Sequence, residues 1–246
     1  MAIYVQSRGY SPDFEYCWKD ESPPYLSKVS SYIQNDSPSL VLARFGKDLF
    51  LLVTDLSSPE KKDFRDRSIR HSVAWVCDEN NENEKTLRAI AYQVLKDRDD
   101  LTKQVDQLIQ PDRKQGFTFV SSQFEDLSKS ILRSFTLESS DNDPDNTIKI
   151  AKNSQALQIA LALELQTSHL PPNYELLVVV TGIKSEDSLT QARIWRSLSN
   201  LVKSDSWKTV SNKKEDLLPK KSVMVISLIL ILVAIAIIIL FFFAVS

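Results

Sequence analysis

Residues 222–245 read SVMVISLILILVAIAIIILFFFAV, an apolar run without a charge, a proline or a glycine, whose only polar groups are the hydroxyls of Ser222 and Ser227. As a helix rising 1.5 Å per residue it measures about 36 Å, enough to cross a hydrocarbon core of about 30 Å with some tilt. In lipid every backbone donor and acceptor has to be satisfied within the segment, so the run is expected to be helical although its Val and Ile would suit a strand in water. A buried core helix is the alternative, and such helices are usually shorter. The chain is therefore expected to divide into a water-soluble domain at 1–203, a polar juxtamembrane connector at 204–221 and a transmembrane α-helix at 222–245.

Lys213, Lys214, Lys220 and Lys221 flank the run on its N-terminal side, and no charged side chain follows it. The positive-inside bias then places the large N-terminal part in the cytoplasm. The opening MAIYVQSRGY lacks the basic start and apolar stretch of a secretory signal. In architecture the chain resembles the tail-anchored class, which implies a single-pass membrane location, a lipid bilayer as partner and a cytosolic head. A lipid-anchor tail that is cleaved off needs entry through a secretory signal, and the opening residues do not read as one.

The apolar run holds no charge, so the 30 basic and 32 acidic residues all fall to the soluble part and leave it near −2. Nucleic-acid binding normally needs a basic excess, and no nucleic-acid partner is expected. Cys17 and Cys77 make no disulfide framework and read as two buried hydrophobic thiols. The sequon Asn35-Asp36-Ser37 is silent on a cytosolic head.

Strand and helix patterns interleave along the head. Residues 3–7 alternate as a first strand, and 39–45 and 48–55 are apolar runs separated by Gly46-Lys47, a β-hairpin covered on both faces. Residues 69–77 make a further strand with Ile69, His71, Val73, Trp75 and Cys77 on one face. Helical spacing recurs at 87–95, 101–109, 124–135 and 154–166, with strands at 117–121, 147–151 and 175–181. Leu189, Ala192, Trp195, Leu198 and Val202 are spaced as one side of a last helix. The order predicts an α/β head with a mixed sheet and flanking helices. The acidic stretch 138–146 reads as a surface loop in preference to a linker between lobes.

No chemical motif is complete. The glycines Gly9, Gly46, Gly116 and Gly182 are too dispersed for a phosphate-cradling loop. His71 and Cys77 share a strand face but stand about 20 Å apart along an extended chain, which rules out a thiol dyad. Asp141, Asp143 and Asp145 open like a calcium loop that fails at Asn146 and Lys152. No zinc-ligand spacing is present, and neither a metal nor a cofactor is expected. The densest basic cluster, Lys61, Lys62, Arg65, Arg67 and Arg70, is interleaved with Asp63, Phe64 and Asp66. Arg65, Arg67 and Arg70 are the candidates to hold an anion, against the alternative of a charge-paired loop entering a strand.

The leading expectation is a non-enzymatic interaction or regulatory module held at a membrane, with protein partners there and oligomerisation open. A second is a sensor head coupled to a membrane-perturbing helix, an architecture known from prokaryotic defence effectors. A third is a membrane-tethered enzyme assembled from dispersed residues such as Asp55, Arg67, His71 and Cys77.

Overall fold

Strands that are apolar at nearly every position need cover on both faces, and that requirement organises the head. The computed structural model describes residues 1–34, 37–136 and 142–210, of which Met1–Val210 is one compact unit. β1 (Ala2–Ser7) carries the short β2 (Cys17–Trp18) on its outer edge. β3 (Ser39–Phe45), β4 (Asp48–Lys62) and β5 (Ser68–Asp78) follow as an antiparallel meander, with β5 also pairing to β1. Gly46, at φ +68°, supplies the left-handed backbone that the tight β3–β4 turn needs. β6 (Ile109–Asp112) and β7 (Gly116–Phe119) form a separate ribbon. β8 (Ile148–Lys152), β9 (Leu176–Thr181) and β10 (Arg196–Ser199) are mutually parallel, and β11 (Lys208–Val210) lies antiparallel to β8. Pairing of β9 with β3 joins the parallel and antiparallel parts into a 9-stranded sheet, ordered β11-β8-β10-β9-β3-β4-β5-β1-β2 among the described residues.

Alternation sends successive side chains to opposite layers. Leu40, Leu42, Leu49, Leu51, Val73 and Trp75 pack beneath a helical layer that also contributes Leu87, Leu101, Phe124 and Leu161. Val41, Ala43, Phe50, Leu52 and Ala74 face the other way, against Val29 and Leu189. The short α1 (Leu26–Val29) therefore lies on the second face, and α2 (Asn81–Lys96), α3 (Arg98–Leu108), α4 (Ser121–Thr136) and α5 (Gln155–Thr167) on the first. α6 (Glu186–Gln191) joins α1 on the second face. Asn80, Asp97 and Ser185 cap α2, α3 and α6 by accepting a backbone N–H three residues on. The head is thus a mixed α/β fold with a large mixed sheet and flanking helices.

The helix expected from Leu189 to Val202 is not formed. α6 stops at Gln191, Arg193 adopts a left-handed φ of +53°, and the chain enters β10. The helical spacing was coincidental, because Leu189 and Val202 join the core on one side of the sheet while Trp195 and Leu198 join the core on the other. β11 likewise occupies the start of the stretch expected to be polar connector. Of the two thiols, Cys77 is buried as expected, but Cys17 is exposed because it sits on the sheet's edge strand.

No helix of the described residues is long and apolar enough to cross a membrane. The apolar run at 222–245, the flanking Lys213, Lys214, Lys220 and Lys221, the sequon's Asn35 and Asp36, and Asp141 lie outside the described residues.

Candidate functional site

The β4–β5 hairpin extends well past its partners as a two-stranded arm. Register slips between Val53 and Leu56, where Asp55 takes a left-handed φ of +54°. The tip is built around one carboxylate. Asp63 Oδ1 accepts the amides of Arg65 at 2.8 Å and Arg67 at 3.0 Å, and Oδ2 accepts Arg67 Nε at 3.0 Å and Nη2 at 2.7 Å. Arg8, which follows β1, adds Nη1 to the same Oδ2 at 3.1 Å. Burial works against the Asp63 charge, yet these bonds from Arg67 and the Arg65 amide hold its pKa down at about 2.

Between this tip and the loop from β1 to β2 lies an open recess of about 500 Å³, lined by Arg8, Pro12, Glu15, Tyr16, Phe64, Arg65 and Arg67. Gly9 lets the loop leave β1 at this point, since a Cβ there would stand 2.8 Å from Gly116 Cα and 2.8 Å from the Phe14 ring. The Arg8 guanidinium lies 5.5 Å from the Tyr16 ring centre and 5.4 Å from that of Phe64, while Arg65 lies 5.1 Å from Phe64. Tyr16 is fixed by its hydroxyl, which accepts the Arg70 amide at 3.0 Å. Arg8 is 8% exposed, and its buried Nε has no acceptor among the described residues. The Arg65 guanidinium likewise has no carboxylate partner among the described residues.

The sequence candidates therefore separate. Arg65 and Arg67 line one recess, whereas Arg70 turns away from it on β5, with Nε 3.2 Å from Asp55 Oδ1. Lys61 also leaves the cluster. Its ammonium folds inward to 3.2 Å from Asp106 Oδ1 and donates to the Ile109 carbonyl at 2.7 Å.

Beside the arm runs a second polar line that sequence reading missed. Ser7 Oγ is 2.8 Å from His71 Nδ1, and His71 Nε2 is 2.9 Å from Asp106 Oδ1. Burial disfavours the Asp106 charge, but hydrogen bonds from His71 and Ser58 and the Lys61 charge outweigh it and keep its pKa below the usual carboxylate range. Burial also lowers the His71 pKa, against the pull of Asp106 and with some help from Lys61. The network thus assigns a neutral imidazole whose Nε2–H donates to Asp106 and whose Nδ1 accepts the Ser7 hydroxyl proton. The order imitates a hydrolytic triad. Ser7 is 0% and His71 1% exposed, however, so neither reaches a substrate, and the line instead ties β1, β5 and α3 together.

The dispersed set weighed for an enzyme does not converge. Asp55 sits at the register slip beside Arg70, Arg67 on Asp63 and His71 on Asp106, while Cys77 is at the far end of β5, where burial pushes its thiol up to about 11. Asp145 is engaged by Lys149 at 2.6 Å and Arg196 at 3.4 Å. Among the described residues no three acidic, histidine or cysteine side chains cluster to hold a metal ion. Comparison with protein-family models, with curated proteins and with solved structures finds no match to this chain.

Proposed function

We propose that the chain is a single-pass membrane protein whose α/β head is a non-enzymatic binding module facing the cytoplasm. The observation that supports a binding role is the contrast at the β4–β5 arm. Arg8, Arg65 and Arg67 line a recess open to solvent, while the Ser7–His71–Asp106 line beside it is sealed. A nucleophile has to touch the atom it attacks, and a hydroxyl with no exposure does not. Guanidinium groups with N–H donors left over are suited to recognition, because such a fork matches an oxyanion and gains by meeting one.

The anchor in this reading is the apolar run at 222–245, with Lys213, Lys214, Lys220 and Lys221 at its head-proximal end. Such lysines favour the cytoplasmic side and the anionic lipid found there. Confinement to a surface raises the effective concentration of the head toward any partner already at that surface.

Protease protection combined with alkaline extraction tests the proposal on the full-length protein. The expected result is a product that stays in the pellet after carbonate washing and loses its head to protease added from the cytosolic side. Release into the supernatant, or a head protected until the membrane is opened, overturns it.

A further inference from the structure

We infer that the recess between the arm tip and the β1–β2 loop is a binding site for a phosphate monoester. The inference rests on the binding role proposed above and names the chemistry recognised. Asp63 does not neutralise the site, because its oxygens are shared by Arg8 and Arg67 and by two turn amides. One carboxylate against two guanidinium groups leaves a positive charge, and Arg65 adds a second one. Glu15, the remaining acid on the rim, offsets only part of this.

The unused donors are set in place before any ligand arrives. Arg67 commits Nε and Nη2 to Asp63, which fixes the plane of its guanidinium and leaves Nη1 over. Arg8 is held through Nη1, and its buried Nε has no acceptor among the described residues. A buried N–H without an acceptor is rare in folded proteins and is relieved when an anion supplies one. Arg65, stacked near Phe64, brings a fork with no carboxylate partner among the described residues.

Donors on three separate side chains select the shape of the anion. A carboxylate offers two oxygens in one plane, whereas a tetrahedral phosphate monoester offers three charged oxygens and can meet Arg8, Arg65 and Arg67 together. The ester's organic part then has the rings of Tyr16 and Phe64, 40% and 45% exposed, on which to rest. Two sources share this chemistry, a soluble nucleoside monophosphate and a phosphatidic-acid headgroup.

The test is calorimetric titration of the full-length protein in phosphatidylcholine nanodiscs with adenosine monophosphate, with adenosine and with inorganic phosphate. A parallel arm measures binding to phosphatidylcholine vesicles with and without phosphatidic acid. We expect saturable binding of adenosine monophosphate, of phosphatidic-acid vesicles, or of both, with adenosine and plain vesicles silent. Arg65→Ala is expected to weaken that binding at least about tenfold, the scale of one lost charge-assisted contact. Arg70→Ala, which removes a charge outside the recess, is expected to leave it unchanged. Because Arg8→Ala risks the fold, Arg8→Lys serves as the second variant. It keeps the charge but loses the Nε donor, and is expected to weaken binding as well. Binding by adenosine monophosphate alone assigns the site to a soluble ligand, and by phosphatidic acid alone to the membrane. Absence of all binding overturns the inference, as does equal loss in Arg65→Ala and Arg70→Ala. Both results leave the membrane-bound head of the previous proposal standing, since protease protection reads it separately.

Discussion

The two ends of the sheet use arginine in opposite ways. At the parallel end Arg196 is fully buried on β10, its Nε and Nη2 meeting Glu164 of α5 at 2.8 and 2.5 Å and its Nη1 meeting the Thr147 carbonyl at 2.5 Å. Arg88 on α2 is equally buried and donates Nε to the Leu165 carbonyl at 2.8 Å, at the end of α5. Arg196 thus staples α5 to the sheet and Arg88 staples α2 to α5, where it satisfies a carbonyl of the last helical turn. At the antiparallel arm Arg8 and Arg67 share one carboxylate, while the Arg65 guanidinium and Arg8 Nε have no acceptor among the described residues. What marks a recognition site here is the number of unspent N–H groups, since both ends are rich in guanidinium.

Breaking the staple is expected to have the largest effect on stability. Arg196→Met leaves Glu164 and Asp145 without their shared partner at the edge of the core, and is expected to cost about 3 kcal/mol, the low end for a broken buried pair because Glu164 is 23% exposed. Urea denaturation of the Met1–Val210 head measures this. Adding Glu164→Leu is expected to recover part of the loss, because removing both charges is far less costly than stranding one.

The Ser7–His71–Asp106 line sits next in magnitude. Asp106→Ala takes the carboxylate from the Lys61 ammonium and strands the His71 Nε2–H, and is expected to cost about 2 kcal/mol in the same assay. A pH series gives an independent reading. The folded pKa of His71 is below its ordinary 6.5, so between those values the unfolded chain binds the extra proton. Stability from this group is therefore complete above about pH 6.5 and is lost as pH falls toward the depressed value. The Asp106 pKa is also depressed, so its contribution is present above its ordinary 3.8 and is lost only at more acid pH. His71→Gln is expected to flatten the decline below pH 6.5, as followed by the unfolding midpoint.

The fold was more legible than the site, for reasons visible in particular residues. The β3–β4 hairpin is legible because two runs apolar at nearly every position, split by Gly46-Lys47, suit strands covered on both faces, and both layers cover them. β10 could not, because its helical spacing counted residues that belong to opposite faces. Arg65 and Arg67 announced themselves as neighbours in sequence, whereas Arg8 joins them from 55 residues away through Asp63. Tyr16, which also lines the recess, follows Arg8 by eight positions in the chain. Arg70 stands apart from Arg65 and Arg67, because charge density along the chain says nothing about which residues belong to the turn and which to β5. His71 shares its strand face with Cys77, but its partners Ser7 and Asp106 come from β1 and α3, which strand periodicity does not reveal.

Asp63→Asn probes how rigidly the recess is set without emptying it. The change removes the charge that fixes Arg8 and Arg67, and the amides of Arg65 and Arg67 are expected to exchange faster with deuterium while those of β10 keep their rates. With the native carboxyl held at about 2, the same tip is expected to stay ordered at pH 4 and to loosen as pH falls from 3.8 toward 2.

The smallest effects fall on the arm's outer arginines and complete the contrast with Arg196. Arg65 has no carboxylate partner among the described residues, so Arg65→Ala is expected to shift stability by no more than about 0.5 kcal/mol. Arg70 is 39% exposed and pairs with Asp55, an ion pair of the kind that contributes about 0–1 kcal/mol. Arg70→Ala is therefore expected to cost slightly more in urea denaturation than Arg65→Ala, while the order reverses in ligand titration. If Arg65→Ala instead destabilises the head as much as Arg196→Met does, Arg65 is a structural contact, and the distinction between spent and unspent guanidinium donors fails.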